Sequence, residues 1–372
     1  MSIETTMTRA WQRQAAWLWL LLPVSWLYGF ITMVRRQAYQ VGLFSSYRAP
    51  IPLMVIGNIT VGGSGKTPLI IALVTHLQKQ GIKVGVISRG YGGDSNQMPT
   101  LVHADSLPSI VGDEPCLIVN MTGAAMAVCP NRKQAITTLL NAHPDLQLII
   151  ADDGLQHYAL QRDIEWIVVD ASRGFGNQQL LPTGFLREPM SRLTGANVVY
   201  HEKADRTTKD NKQAKAKRLT MHLQADELQI LWPSAVEIDG LSVAAKTLMP
   251  PIPNGRVHAV SGIGYPQRFF DTLMALGFDV IGHAYPDHYD FSLTELLQYS
   301  ELPIIVTSKD AVKIRALLIN MSSRQPLNDE YQELVHRLWV LPVTAVLSDG
   351  CYVSLQQQLK ALNINLSKST KA

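Results

Sequence analysis

Residues 53–77 read LMVIGNITVGGSGKTPLIIALVTHL, and this stretch decides the fold. Leu53 to Gly57 is a short apolar run closed by a turn signal, the pattern of a strand buried on both faces. From Pro68 to Gln80 the residues Leu69, Ile70, Leu73, Val74 and Leu77 recur at helical spacing, so a helix with one inner face follows. Between them, Thr60, Val61, Gly62, Gly63, Ser64, Gly65, Lys66 and Thr67 match a phosphate-binding loop at Gly65, Lys66 and Thr67, with Thr60 where glycine is usual. The chemistry requires this arrangement. Successive N–H groups at a helix N-terminus cradle phosphate oxygens, a lysine neutralises β/γ charge, and a hydroxyl at the Thr67 position reaches Mg²⁺.

Further apolar runs repeat the design. Ile82 to Ser88 runs into Arg89-Gly90-Tyr91-Gly92-Gly93, Leu146 to Ala151 runs into Asp152-Asp153-Gly154, and Ile164 to Asp170 follows. Strands whose carboxyl ends carry Gly, Asp and Arg, separated by helical stretches, predict a parallel α/β sheet of P-loop NTPase type with its site along one edge. Asp152 and Asp153 stand where a carboxylate holds Mg²⁺ through water in such folds. Residues 202–219 are Lys-rich without apolar periodicity and read as a surface connection. The breaker Pro250-Pro251-Ile252-Pro253-Asn254-Gly255 precedes a second, smaller α/β pattern. The expected division is therefore 1–48, an apolar and basic membrane-associated segment; 49–250, a P-loop kinase domain; and 251–372, a smaller α/β domain that closes over the site.

The N-terminal segment has its own character. No charged residue occurs from Ala15 to Val34, long enough to span a bilayer core, and Arg35-Arg36 follows where a signal peptide would need a small-residue cleavage site. Pro23 and the spread of Trp17, Trp19, Trp26 and Tyr28 through the run favour a helix lying in the interface, with a single span and a buried core helix as the alternatives. Gln14, Ser25, Gly29, Thr32 and Arg36 fall along one stripe of that helix, interrupted by Leu18 and Leu21. Residues 1–48 hold five arginines against Glu4, a local charge of +4; with +3 overall, the remaining chain carries 3 − 4 = −1. A nearly neutral body gives no nucleic-acid footprint, whereas the basic N-terminus suits an anionic membrane surface. Cys116, Cys129 and Cys351 are three cysteines with no CxxC spacing, which points to small core residues in a reducing cytoplasm rather than disulfides or zinc.

The ordered set Gly57-Asn58-Ile59-Thr60 through Thr67-Pro68, Ser88 to Gly93, Val111-Gly112-Asp113-Glu114-Pro115 and Asp152 to His157 resembles one family, the tetraacyldisaccharide 4′-kinases of lipid A biosynthesis. Arg173 to Asn177, Leu186-Arg187-Glu188-Pro189, Pro286-Asp287-His288 and Lys309-Asp310 extend the resemblance over most of residues 54–310; Ser308 departs from the glutamate expected before Lys-Asp. The resemblance implies that ATP and Mg²⁺ serve the 4′-hydroxyl of an acylated disaccharide phosphate lipid, at the cytoplasmic face of the inner membrane. It implies Asp113 as general base oriented by His288, with Lys66, Thr67, Asp152 and Asp153 on ATP and Mg²⁺. Glu114, Gln156 and Glu188 complete the nucleotide and metal shell on this reading, and Asn58, Arg89, Tyr91 and Arg132 face the acceptor or the moving phosphoryl group. Lys309, Asp310 and His157 are support residues.

Two other readings compete. A membrane-bound P-loop ATPase that switches a protein partner would carry a second lysine signature in its loop, where this chain has Val61, Gly62 and Gly63. A soluble kinase of another metabolite would bury the N-terminal helix in its core.

Overall fold

Leu53–Gly57 forms β1, and all five of its residues are buried. A parallel sheet covered by helices on both faces demands such a run. In the computed structural model, which describes residues 3–203, 218–232, 249–299, 301–323 and 328–364, β1 lies inside a nine-stranded sheet. In chain order its strands are β1, β2 (Val84–Ser88), β3 (Thr100–Val102), β4 (Ala125–Val128), β5 (Leu148–Asp152), β6 (Ile164–Asp170), β7 (Asn197–His201), β8 (Leu219–Ala225) and, after a long excursion, β14 (Val343–Leu347). The spatial order is β14-β8-β7-β6-β1-β5-β2-β4-β3. The seven inner strands are parallel; the two edge strands run antiparallel to their neighbours. The chain leaves β1 and enters β2 by passing over β5, so the carboxyl end of β1 opens onto a crevice, the place where such sheets bind ligands.

The excursion builds a second sheet from β9 (Gln229–Ile230), β10 (Arg256–Ser261), β11 (Asp279–Ala284), β12 (Ile304–Thr307) and β13 (Leu338–Leu341), in the order β11-β10-β12-β13-β9. The expected division at residue 250 differs from this arrangement at both ends. The chain has already joined the second sheet at β9, before the proline breaker, and it returns to the first sheet at β14. The following helix, Asp349–Ala361, buries Cys351, Leu355 and Leu359 in the core that holds Leu69 and Trp166. The apolar alternation of 343–347 announces a strand but not its partner; the partner is set by β8, whose free edge β14 covers. Residues 204–217 of the Lys-rich stretch lie outside the described residues, as does 233–248. The three cysteines are free and buried, as expected.

At the N-terminus, helices Ile3–Gln12 and Leu22–Gln40 are joined through a 3₁₀ turn, Ala16–Leu21. By length and composition Ala16–Gln40 could cross a membrane, yet only 11% of its apolar window is buried, which rules out the core-helix alternative. Ser25 and Gly29 of the polar stripe face the protein, while Gln14 lies exposed in a turn outside the helix. Ser25 is buried and donates to Leu180 O at 3.0 Å while sharing a 2.8 Å bond with Thr183 Oγ1. Tyr28 Oη donates to Arg187 O, Trp11 Nε1 donates to Pro182 O, and the Arg35 guanidinium lies over the Tyr158 ring. Gly29 permits the approach, since a Cβ there would sit 2.7 Å from Leu180 Cδ1. Contacts from Trp11 to Arg35 lay the segment along the body of the protein. The opposite face presents Trp26, Leu27, Phe30 and Ile31 outward, each more than half exposed.

The Ser25 hydroxyl also accepts from Thr183 N at 3.0 Å, so Ser25→Ala strands a buried N–H as well as removing a donor. We expect a loss of about 1–3 kcal/mol, read as a lower midpoint in urea unfolding with an unchanged slope. A midpoint equal to that of the unsubstituted chain would show that this docking contributes nothing.

Candidate active site

The phosphate-binding loop is braced from below and from the side before any ligand arrives. Thr60, the position that departs from glycine, forms an antiparallel bridge with Leu186, and Val61 N donates to Phe185 O. A side chain is tolerated there because the residue sits in an isolated bridge and, unlike Gly65, has no positive φ. Gly65 turns instead, with φ of 95°, and a Cβ on it would meet His201 Nδ1 at 2.7 Å. Asn58 is fully buried; its amide donates to Gly62 O at 3.2 Å and Thr60 Oγ1 at 3.3 Å, and its oxygen accepts from Lys66 Nζ at 3.2 Å. Arg173 Nη1 donates to Val61 O. Lys66 opens the helix Lys66–Lys79 and also lies 3.2 Å from Asp153 Oδ1. Its charge is held at the loop by groups that a phosphate can replace.

The end of β5 supplies two carboxylates in opposite surroundings. Asp153 sits in the left-handed region at φ 47° and pairs with Lys66 and with Arg187 Nη1 at 3.1 Å. Burial works against its charge, but those two cations outweigh burial and hold the carboxyl at about 2. Asp152 is almost fully buried. Its Oδ2 accepts from Ser88 Oγ at 3.4 Å, while Oδ1 has no hydrogen-bond partner. Burial, aided by the charge of Glu114, pushes its pKa up. An orphaned carboxylate oxygen beside a phosphate-binding lysine is the environment a cation would relieve. Among the described residues no group of three or more His, Cys, Asp and Glu side chains forms a ready-made metal cage. Mg²⁺ at phosphate sites does not ask for one, because it binds through one or two carboxylates with water and phosphate oxygens.

Asp113 starts the helix Asp113–Thr122, after Gly112 in a backbone conformation (φ 94°) that favours glycine. His288 lies on the loop after β11, in the second sheet's part of the molecule. The fold places His288 Nδ1 3.0 Å from Asp113 Oδ2. Lys313 Nζ is 3.5 Å and Lys309 Nζ 3.9 Å from the same oxygen. Burial opposes the Asp113 charge; the hydrogen bond from His288 with the Lys309 and Lys313 charges overcomes it and holds the pKa at about 2. For His288, burial pushes down and the Asp113 hydrogen bond pulls up, and the net is upward. Tyr91, largely exposed, packs its ring 5.0 Å from that of His288, and Arg89 beside it is exposed.

A second contact joins the two sheets beneath the loop. Arg268 donates to both Asp170 oxygens, at 2.9 and 2.8 Å, and lies against His201, whose Nδ1 is 3.2 Å from Ser64 O. Above the loop, Gly264 comes so near that a Cβ on it would be 3.3 Å from Gly63 N and 3.0 Å from Asp287 Oδ2.

Three residues stand elsewhere than the sequence reading put them. Asn58, expected toward the acceptor, is committed to the loop backbone and Lys66. Arg132, expected there too, is buried and donates to Cys129 O at 2.9 Å and Asp152 O at 3.3 Å, so it props the end of β5. Glu188, expected in the metal shell, accepts from Arg192 Nε at 3.2 Å and from Gln156 Nε2 at 2.8 Å, leaving it as a brace that holds Gln156 against Asn58 O. Each is polar and beside a motif; burial, which sequence does not report, decides its partner. Arg187 and Lys309 enter the site with only their motifs as signal, and Arg268 had none.

A family model described as tetraacyldisaccharide-1-P 4′-kinase matches residues 17–360. The chain is 74% identical to the tetraacyldisaccharide 4′-kinase of Psychrobacter arcticus, over 99% of this chain and 98% of that protein. It is 41% identical to the protein of the same name from Tolumonas auensis, over 94% and 96%. The crystal structure of Aquifex aeolicus LpxK in complex with ATP is similar in fold, with a TM-score of 0.65 at 23% identity, covering 93% of this chain and 99% of that one. Matched by the family model over residues 17–360 and by named relatives over nearly its full length, this chain belongs to the tetraacyldisaccharide-1-P 4′-kinase family.

Proposed function

We propose that this chain transfers the γ-phosphate of ATP to the 4′-hydroxyl of a tetraacyldisaccharide 1-phosphate, a step of lipid A biosynthesis. The observation that carries the reading is the 3.0 Å contact between Asp113, at a helix start beside the first sheet, and His288, on a loop of the second sheet's part. Asp113 takes the proton of the acceptor hydroxyl as its oxygen attacks the γ-phosphorus, and the bond from that phosphorus to the ADP oxygen breaks. Lys66, released from Asp153 and Asn58, neutralises charge on the β and γ oxygens. Asp152, with the Thr67 hydroxyl, would hold Mg²⁺, which would neutralise phosphate charge; Asp153, Glu114 and Gln156 would complete its surroundings. Tyr91, exposed beside His288, and Arg89, exposed two residues before it, would meet the anionic acceptor.

The exposed apolar face of Leu22–Gln40 with its flanking arginines supports attachment to the anionic cytoplasmic surface of the inner membrane, the helix lying in the interface. A nucleotide switch acting on a protein partner would need no base aligned on an acceptor. Incubation with ATP, Mg²⁺ and a lipid-linked disaccharide phosphate, followed by mass analysis, decides between the two. The kinase reading requires one added phosphate on the lipid; ATP hydrolysis with unmodified lipid supports the switch.

Lys66→Ala and Asp152→Ala are each expected to abolish most turnover at unchanged thermal midpoint, and near-normal kcat in either would remove the phosphate-loop assignment. General-base removal costs about 10²–10⁴ in rate, so Asp113→Ala should lose that much kcat with ATP affinity little changed, and His288→Ala should lose less. Acting as one unit, the pair should give a double variant scarcely worse than Asp113→Ala; fully multiplicative losses on the lipid substrate would separate the two residues. For the membrane, Trp26→Glu with Phe30→Glu should abolish sedimentation with anionic phospholipid vesicles while leaving the melting temperature unchanged. Continued sedimentation would place the attachment elsewhere.

A further inference from the structure

Lys309 lies in the first turn of the helix Ser308–Ser322, and its ammonium group meets three acceptors from both sides of the crevice. Nζ lies 3.2 Å from Glu114 Oε1, 3.2 Å from Asp287 Oδ1 and 3.2 Å from His288 Nε2. An ammonium has three hydrogens and no lone pair, so all three partners must accept. His288 Nε2 can accept only as the bare nitrogen of a neutral ring, which puts the ring proton on Nδ1, where it donates to Asp113 Oδ2 at 3.0 Å. The backbone agrees with this placement. His288 is held at φ 60°, and its N–H donates to Gly262 O. Gly262 N in turn donates to Asp310 Oδ1, the residue after Lys309, at 3.2 Å. One helix N-terminus therefore fixes both the ring and the peptide of His288.

We propose that Lys309 is the positioning residue of this active site: by bridging Glu114 to Asp287 it sets His288 in the Nδ1–H tautomer and joins the second sheet's loop to Asp113. Its role in turnover rests on the kinase reading above. Its effect on the tautomer does not. Lys309 Nζ is 3.9 Å from the Asp113 carboxylate but 3.2 Å from His288 Nε2, so its positioning acts through His288.

The test uses the full-length chain and two variants. Lys309→Met removes charge and donors, and Lys309→Arg keeps both. With ATP, Mg²⁺ and the lipid-linked disaccharide phosphate, Lys309→Met is expected to lose about 10²-fold in kcat, the scale of a misplaced catalytic group, with KM for ATP little changed. Lys309→Arg should recover most of that loss, and adding His288→Ala to Lys309→Met should cost little more. Imidazole ¹⁵N spectra provide a readout that needs no turnover, with His288 assigned by the signals lost in His288→Gln. The unsubstituted chain should show His288 protonated on Nδ1 alone, and Lys309→Met a mixture of tautomers. Protonation on Nε2 in the unsubstituted chain, or an unchanged tautomer in Lys309→Met, would overturn the proposal, as would a kcat loss in that variant that multiplies in full with that of His288→Ala. If Lys309→Met does not fold, the Arg variant decides: loss of the Nδ1–H signal there despite a retained charge also overturns it. A lipid left unphosphorylated by the unsubstituted chain would defeat the kinase reading and leave the spectra to judge Lys309.

Discussion

A buried carboxylate is unstable unless its charge is met, and the two halves of this molecule depend on how that of Asp113 is met. The side chain is almost fully buried at a helix start, where an unpaired carboxylate would cost several kcal/mol or take up a proton. Glu114 N donates to one oxygen from the same helix, but the side chains that meet the other, His288, Lys309 and Lys313, come from the second sheet's part of the chain. On the proposed mechanism, docking that part onto the first sheet and preparing the base for the acceptor hydroxyl are therefore one event. The closely packed Gly264 and the Arg268–Asp170 pair add geometric definition to a contact whose electrostatic need is set by Asp113.

Asp152 provides the contrast. It is as deeply buried, but one oxygen lacks a partner and its nearest strong influence, after burial itself, is another carboxylate. Evolution toward stability alone would have paired it or replaced it with an apolar residue. One carboxylate is compensated by protein cations and one is left short of a partner, which on the proposed mechanism suits the first to a base that stays ionised and the second to a divalent cation. Placing two such groups in environments that drive their protonation apart is the general way a fold assigns them separate duties.

The N-terminal helix solves a different problem with the same economy. Its polar and small residues, which on a free amphipathic helix would face water, are spent on the body of the protein at Leu180, Thr183 and Arg187. The apolar remainder faces out. This inversion explains the weak segregation of polar and apolar residues: the helix has a protein face and an apolar face, with little left for solvent.

How much of this was legible in the sequence follows from how local each constraint is. The apolar run Leu53–Gly57, the glycines, Lys66 and the helical spacing after Pro68 are local, so the parallel sheet and its phosphate loop could be read directly. The pairing of Asp113 with His288 was reached through family resemblance, since residues 175 positions apart in the chain carry no mutual spacing signal. Tertiary structure alone decided that β14 returns to the first sheet, because an apolar strand is compatible with any free edge. It also decided that Asn58, Arg132 and Glu188 face inward and that Lys309 has three acceptors. The sequence by itself determined which chemical groups are present and which backbone turns are possible; only the folded chain determined their burial and their partners, because desolvation and hydrogen bonding depend on what arrives from distant segments.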